Sequence, residues 1–135
     1  MDTSPRYTKT WLADGRILCY RFEDTTTATI DAWASDLIQE IEAWTTDRPW
    51  RLLLDIRLHG NIVSTYALRR AREIAHRRPE LPGRLAILIG SRLAAQIISI
   101  ALRGAPNTFR RRSFFVSEAL AIAWLLEQDD NADTS

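Results

Sequence analysis

Two adjoining segments limit the fold more than anything else in the chain. From residue 30 the apolar side chains fall at Ile30, Trp33, Leu37, Ile38, Ile41 and Trp44, a helical stripe that leaves Asp31, Asp36, Glu40 and Glu42 toward water. Just beyond Pro49, the run Arg51-Leu52-Leu53-Leu54-Asp55-Ile56-Arg57 reads as an interior strand. A striped helix that leads at once into an apolar strand buries its stripe against a sheet, which points to an α/β protein.

The rest of the chain extends that alternation. Residues 7–12 and 16–23 are β-rich runs joined by Ala13-Asp14-Gly15, a hairpin signal, and the threonines at 25–29 offer N-caps to the first helix. Ser64 caps a second helix with Leu68, Ala71, Ile74 and Ala75 inward and Arg69, Arg70, Arg72, Glu73 and Arg77 outward; Pro79, Pro82 and Gly83 stop it. Residues 84–90 read as a strand, and Ser91 opens a third helix with Leu93, Ile97, Ile98 and Leu102 on one side, closed by Gly104 and Pro106. Residues 112–116 form the last strand, Ser117 caps a final helix running to Gln128 with Leu120, Ala123 and Trp124 at core spacing, and 129–135 is an acidic tail. The order β-β-α-β-α-β-α-β-α with right-handed crossovers predicts a mixed, mostly parallel five-stranded sheet whose first strand is antiparallel.

Leu52, Leu54 and Ile56 alternate with Leu53, Asp55 and Arg57, so one sheet face is less apolar than the other. This predicts helices mainly on one face. Leu53, Leu88 and Phe115 would then mark a second face left for the hairpin, a ligand or the partner subunit of a homodimer. With 135 residues and 46% apolar content the chain can form one core, expected over about residues 7–127 of a single domain spanning 1–135. Cys19 is the sole cysteine, which excludes an internal disulfide. Met1-Asp2-Thr3-Ser4-Pro5 lacks the features of a signal peptide and no apolar run is long enough to span a bilayer, so a cytoplasmic protein is expected.

Charge is segregated along the chain. Between Tyr66 and Arg112 lie eleven arginines against Glu73 and Glu80, a net +9, while residues 1–65 sum to −3 and 113–135 to −5, giving the total of +1. Such asymmetry suggests an anion-seeking face or complementary faces meeting within or between subunits. The candidate residues are Arg69, Arg70, Arg72 and Arg77 on one helix and the cluster Arg110, Arg111 and Arg112 before the last strand. Lipid headgroups or an acidic or phosphorylated protein would suit them. The plainer alternative is a solvated face paired with Asp36, Glu40, Glu42 or the tail acids. Nucleic acid is disfavoured, because no recognition motif accompanies the arginines and the pI is only about 8.0. Of the tryptophans, Trp33, Trp44 and Trp124 sit at core spacing, leaving Trp11 and Trp50 as surface candidates.

The early hairpin, Leu52-Leu53-Leu54-Asp55, the helix entered through Ser64-Thr65, the strand Leu85-Ala86-Ile87-Leu88-Ile89 and the ending Phe115-Val116-Ser117-Glu118-Ala119-Leu120-Ala121-Ile122-Ala123-Trp124-Leu125 resemble the STAS superfamily. The nearest likeness is to its uncharacterised bacterial branch, related to anti-sigma-factor antagonists, over about residues 7–127. The resemblance implies a superhelix of strand and helix units, and regulation by protein contact or binding of nucleotides or apolar molecules. It also implies a phosphorylated hydroxyl at a helix start. Laying Asp55 on the family's strand-end acid places Val63-Ser64-Thr65-Tyr66 there, with two hydroxyls retained and the family's preceding acid and following glycine absent. Ser64 or Thr65 would be the acceptor, at a helix N-terminus that favours added negative charge. Ordinary N-capping explains Ser64 equally well.

Catalytic readings find less support. Asp55, His59 and Ser64 are the residue types of a hydrolase triad, yet no nucleophile elbow accompanies them. His59, His76 and Cys19 share no metal-ligand spacing, and Gly83, Gly90 and Gly104 form no phosphate-binding loop, so neither a metal nor a cofactor is expected. The expectation is a non-enzymatic regulatory or protein-interaction module of STAS-like type. The alternative is a carrier or sensor that holds an apolar or anionic small molecule between sheet and helices, as in CRAL-TRIO-like relatives.

Overall fold

Ala13, Asp14 and Gly15 take φ values of 53°, 57° and 83°, so the Asp-Gly turn brings the chain back on itself through three consecutive left-handed residues. Strand β1 (Tyr7–Leu12) thereby pairs antiparallel with β2 (Ile17–Phe22). The structure is a computed structural model and describes residues 5–45, 47–57, 64–78, 80–92, 96, 100 and 110–127. Strands β3 (Trp50–Asp55), β4 (Gly83–Leu88) and β5 (Arg110–Phe115) follow in parallel, giving one five-stranded sheet in the order β1-β2-β3-β4-β5. The chain is therefore α/β with a mixed, mostly parallel sheet, and among the described residues no helix is long and apolar enough to cross a membrane.

Three helices are described. Helix α1 (Thr27–Ala43) starts where the Thr26 hydroxyl accepts from the Thr29 amide, and α2 (Thr65–Ala75) where Ser64 Oγ accepts from the Ala67 amide. Helix α3 (Glu118–Leu125) has Ser117 as its cap, accepting from the Leu120 amide. The C-terminal end of α1 is closed from outside: Arg78 donates to the carbonyls of Ile41 at 3.0 Å and Trp44 at 2.5 Å, opposite charge meeting the negative end of the helix. Most of the helix expected to open at Ser91, the tail 129–135 and His59 lie outside the described residues.

Because neighbouring strands are in register, residues in one row across the sheet share a face. Leu18, Tyr20, Phe22, Leu52, Ile56 and Ile87 point to α1 and α2, where they join Trp33, Leu37, Ile41 and Trp44 in the larger core. Trp50 belongs to that core at 3% exposure, which corrects its reading as a surface residue. The reason is Gly83: a Cβ there would stand 2.1 Å from the Trp50 carbonyl oxygen, so β3 and β4 close tightly at this end.

The opposite face is not open. Ile17, Cys19, Leu53, Ala86 and Leu88 pack with Ala121 and Leu125 of α3, and both Leu53 and Leu88 are 0% exposed. Phe115 meets the Trp124 ring at 5.5 Å between centroids. The expected dimer face of Leu53, Leu88 and Phe115 is thus taken by the chain's own last helix, which returns from β5 across β4 and β3. Two of the three described helices lie on one face and the third on the other.

Candidate functional site

Side chains from the strands hold α3 at both ends. At its start Glu118 accepts from Arg21 at 2.9 and 3.0 Å and from Arg57 at 3.2 Å. Asp55 accepts from the same two guanidiniums, at 2.7 Å from Arg21 and 3.0 Å from Arg57. Register explains the grouping, since Arg21 and Asp55 are partners across β2 and β3 on the face that α3 covers. The Asp55 side chain is only 4% exposed. Burial pushes its carboxyl up, but hydrogen bonds from the Arg57 side chain and amide and from Arg21 outweigh that and hold it below the usual range. Bonding from Arg21 likewise lowers Glu118. Two carboxylates and two guanidiniums balance one another, so the arrangement suits a fixed clamp and leaves neither carboxylate poised to take a proton near neutral pH.

At the other end of α3, Arg51 Nε donates to the Leu125 carbonyl at 2.6 Å, and Arg84 donates to the Trp124 carbonyl at 2.6 Å and to Glu127 at 3.1 Å. The Arg84 side chain is 2% exposed, with its guanidinium 5.0 Å from the Trp124 ring centroid. Arg51, Arg84 and Arg111 form one row across β3, β4 and β5. Positive charge at the carbonyl end of a helix is favourable to its dipole, so part of the arginine-rich segment serves the chain's own packing.

The outward side of α3 is apolar as well. Ala121 and Leu125 are buried while Leu120 is 63% exposed, and Val116 just before the helix is 65% exposed. Ala119 and Ala123 are exposed beside them, and Trp124 is half-buried. Of the expected inward set, Trp124 packs on the core beneath α3, whereas Leu120 and Ala123 are exposed, which corrects the expectation for those two. Helical spacing had no polar side from which to choose, and the two arginine anchors together with the Glu118 clamp fix the rotation instead.

Helix α2 carries the other candidate residues. Ser64 Oγ also donates to the Thr25 carbonyl at 3.2 Å, so its hydroxyl is engaged twice, whereas Thr65 is exposed. Arg70 pairs with Glu73 at 2.6 Å, Arg77 approaches Glu42 at 3.8 Å, and Arg69 lies 5.3 Å from the Tyr66 ring centroid. Tyr66 in turn donates to Asp31. Of the acids expected to neutralise this face, Asp36 and Glu40 bind Lys9 instead, at 2.9 and 2.5 Å. Arg72, Arg111 and Arg112 are exposed, and the Arg110 side chain is outside the described residues.

A pocket of about 80 Å³ lies between the sheet and the first turns of α1 and α2. Phe22, Ile56 and Ile87 at the strand ends, Trp33 from α1 and Ala67 and Ala71 from α2 are among its walls.

Sequence reasoning missed the clamp of Arg21, Asp55, Arg57 and Glu118, whose members come from three parts of the chain. The one available signal was the interruption of the apolar strand by Asp55 and Arg57. A scan against protein-family models found no match to the chain, and searches of curated proteins and of solved structures found none either.

Proposed function

We propose that the chain is a non-enzymatic interaction module of STAS-like type that binds through the outward side of α3, with a second copy of itself as partner. The observation that carries the reading is the exposure of Val116 and Leu120, 65% and 63%, on a helix anchored rigidly at both ends. A helix apolar all round belongs in an interior, so its outer side calls for a cover. The stripe is also suited to its own copy. Leu120 projects between the small residues Ala119 and Ala123, so a two-fold crossing lets each Leu120 settle against the other helix's alanines. The edge of β5 is a poorer route, because Arg111 and Arg112 would face like charges from an antiparallel copy.

Regulation by phosphate, within the same reading, falls on Thr65. Thr65 is an exposed residue at the start of α2, while the hydroxyl of Ser64 is engaged in the cap.

Analytical ultracentrifugation over micromolar concentrations tests the proposal. Wild-type protein should sediment as a dimer, and Leu120→Asp as a monomer of unchanged circular dichroism. A wild-type monomer throughout removes the self-contact reading; a dimer that Leu120→Asp leaves intact moves the contact away from α3.

A further inference from the structure

The pocket under α1 and α2 carries an inference separate from the contact surface on α3. We infer that it is a binding site for a short aliphatic chain, either free or as the end of a longer amphiphile. Among the described residues its walls are side chains of Phe, Ile, Trp, Leu and Ala, with Thr25 the one polar residue, a lining suited to an apolar group. The space persists because α2 turns Ala67 and Ala71, one helical turn apart, toward the sheet; longer side chains at either position would occupy it. Packed interiors leave few voids larger than a water molecule, and an apolar cavity stays dry and takes up apolar guests.

Size sets the ligand class. At ~30 Å³ for a group the size of a water molecule, about 80 Å³ accepts about three methylene-sized groups. The pocket is partly open, so a longer chain can continue outward from it. Its position at the C-terminal ends of β2, β3 and β4 is where sheets of this class leave room for ligands. Aromatic and nucleotide ligands exceed the space.

Methyl-detected NMR of the full chain tests this directly, with hexanoate and 1-hexanol as probes at millimolar concentration. Both share the alkyl chain, and only hexanoate carries a negative head. Saturable shifts should appear at the methyls of Leu54, Leu68 and Ile87, and Ala71→Leu, which fills the pocket, should weaken binding at least tenfold. Equal shifts with both probes assign recognition to the alkyl chain and support the site; shifts with hexanoate only would assign recognition to the charged head and count against it. Leu68→Phe serves as a second filling variant if Ala71→Leu fails to fold. No saturable shift with either probe, or undiminished binding in a folded filled variant, overturns the inference.

Discussion

Asp55→Asn removes one negative charge from the clamp and almost nothing else. In the wild type Asp55 receives Arg21 at 2.7 Å and Arg57 at 3.0 Å, with its side chain 4% exposed. Breaking a fully buried pair by removing one partner costs about 3 to 5 kcal/mol. Here the guanidiniums keep Glu118 and are 28% and 35% exposed, so water screens them, and the asparagine oxygen still accepts one hydrogen bond. The expected loss near neutral pH is therefore about 2 kcal/mol. Its pH dependence separates a charge effect from a packing effect. Both Asp55 and Glu118 have folded-state pKa values below the ordinary range, so their contribution is present above the unfolded carboxylate pKa and is lost as pH falls through the folded values. The gap between wild type and Asp55→Asn should be full near neutrality and narrow below about pH 4. Urea unfolding followed by circular dichroism, with equal m-values as the check on comparability, measures it. A gap under about 0.5 kcal/mol near neutral pH, or one that stays constant into acid, would refute the clamp.

Other outcomes follow from the same contacts. Ser64→Ala should lose about 1 kcal/mol in urea unfolding and Ser64→Asp should recover most of it, with sedimentation unchanged in both. Leu53→Ala, at a position with 0% exposure beneath α3, should lose about 2 to 5 kcal/mol in the same assay; a loss near zero would mean that α3 does not cover the sheet there. The Cys19 thiol is buried, and burial pushes its pKa up, so labelling by a thiol reagent should proceed only as fast as the protein opens. A Cys19 that labels rapidly under native conditions would contradict that burial.

Much of the architecture could be read from short stretches of sequence, because local interactions decide it. Asp14-Gly15 marked the hairpin, Thr26 lies in the threonine cluster expected to supply a cap, and Ser64 and Ser117 cap the helices they precede. The stripe from Ile30 to Trp44 packs on Leu52 and Ile56 as its spacing implies. Where several parts of the chain must agree, the residues alone were a poorer guide. Leu120 and Ala123 have the same hydropathy argument for facing inward as Ala121 and Leu125, and contacts from β3 and β4 decide between them. Arg84, one of the eleven arginines of the basic segment, lies buried against Trp124, since its row on β4 faces α3. Arg21, Asp55 and Glu118 come together only once the register of β2 with β3 and the return of α3 are known.

Sedimentation of wild type and Leu120→Asp side by side tests the central claim most directly, because a single exposed side chain is altered on the face assigned to self-contact. The account predicts a wild-type dimer that persists in raised salt, since its centre is apolar and only the rim is charged, and a folded monomer for the variant. A wild type that remains monomeric at every concentration, or a variant that dimerises as well as the wild type, would contradict it.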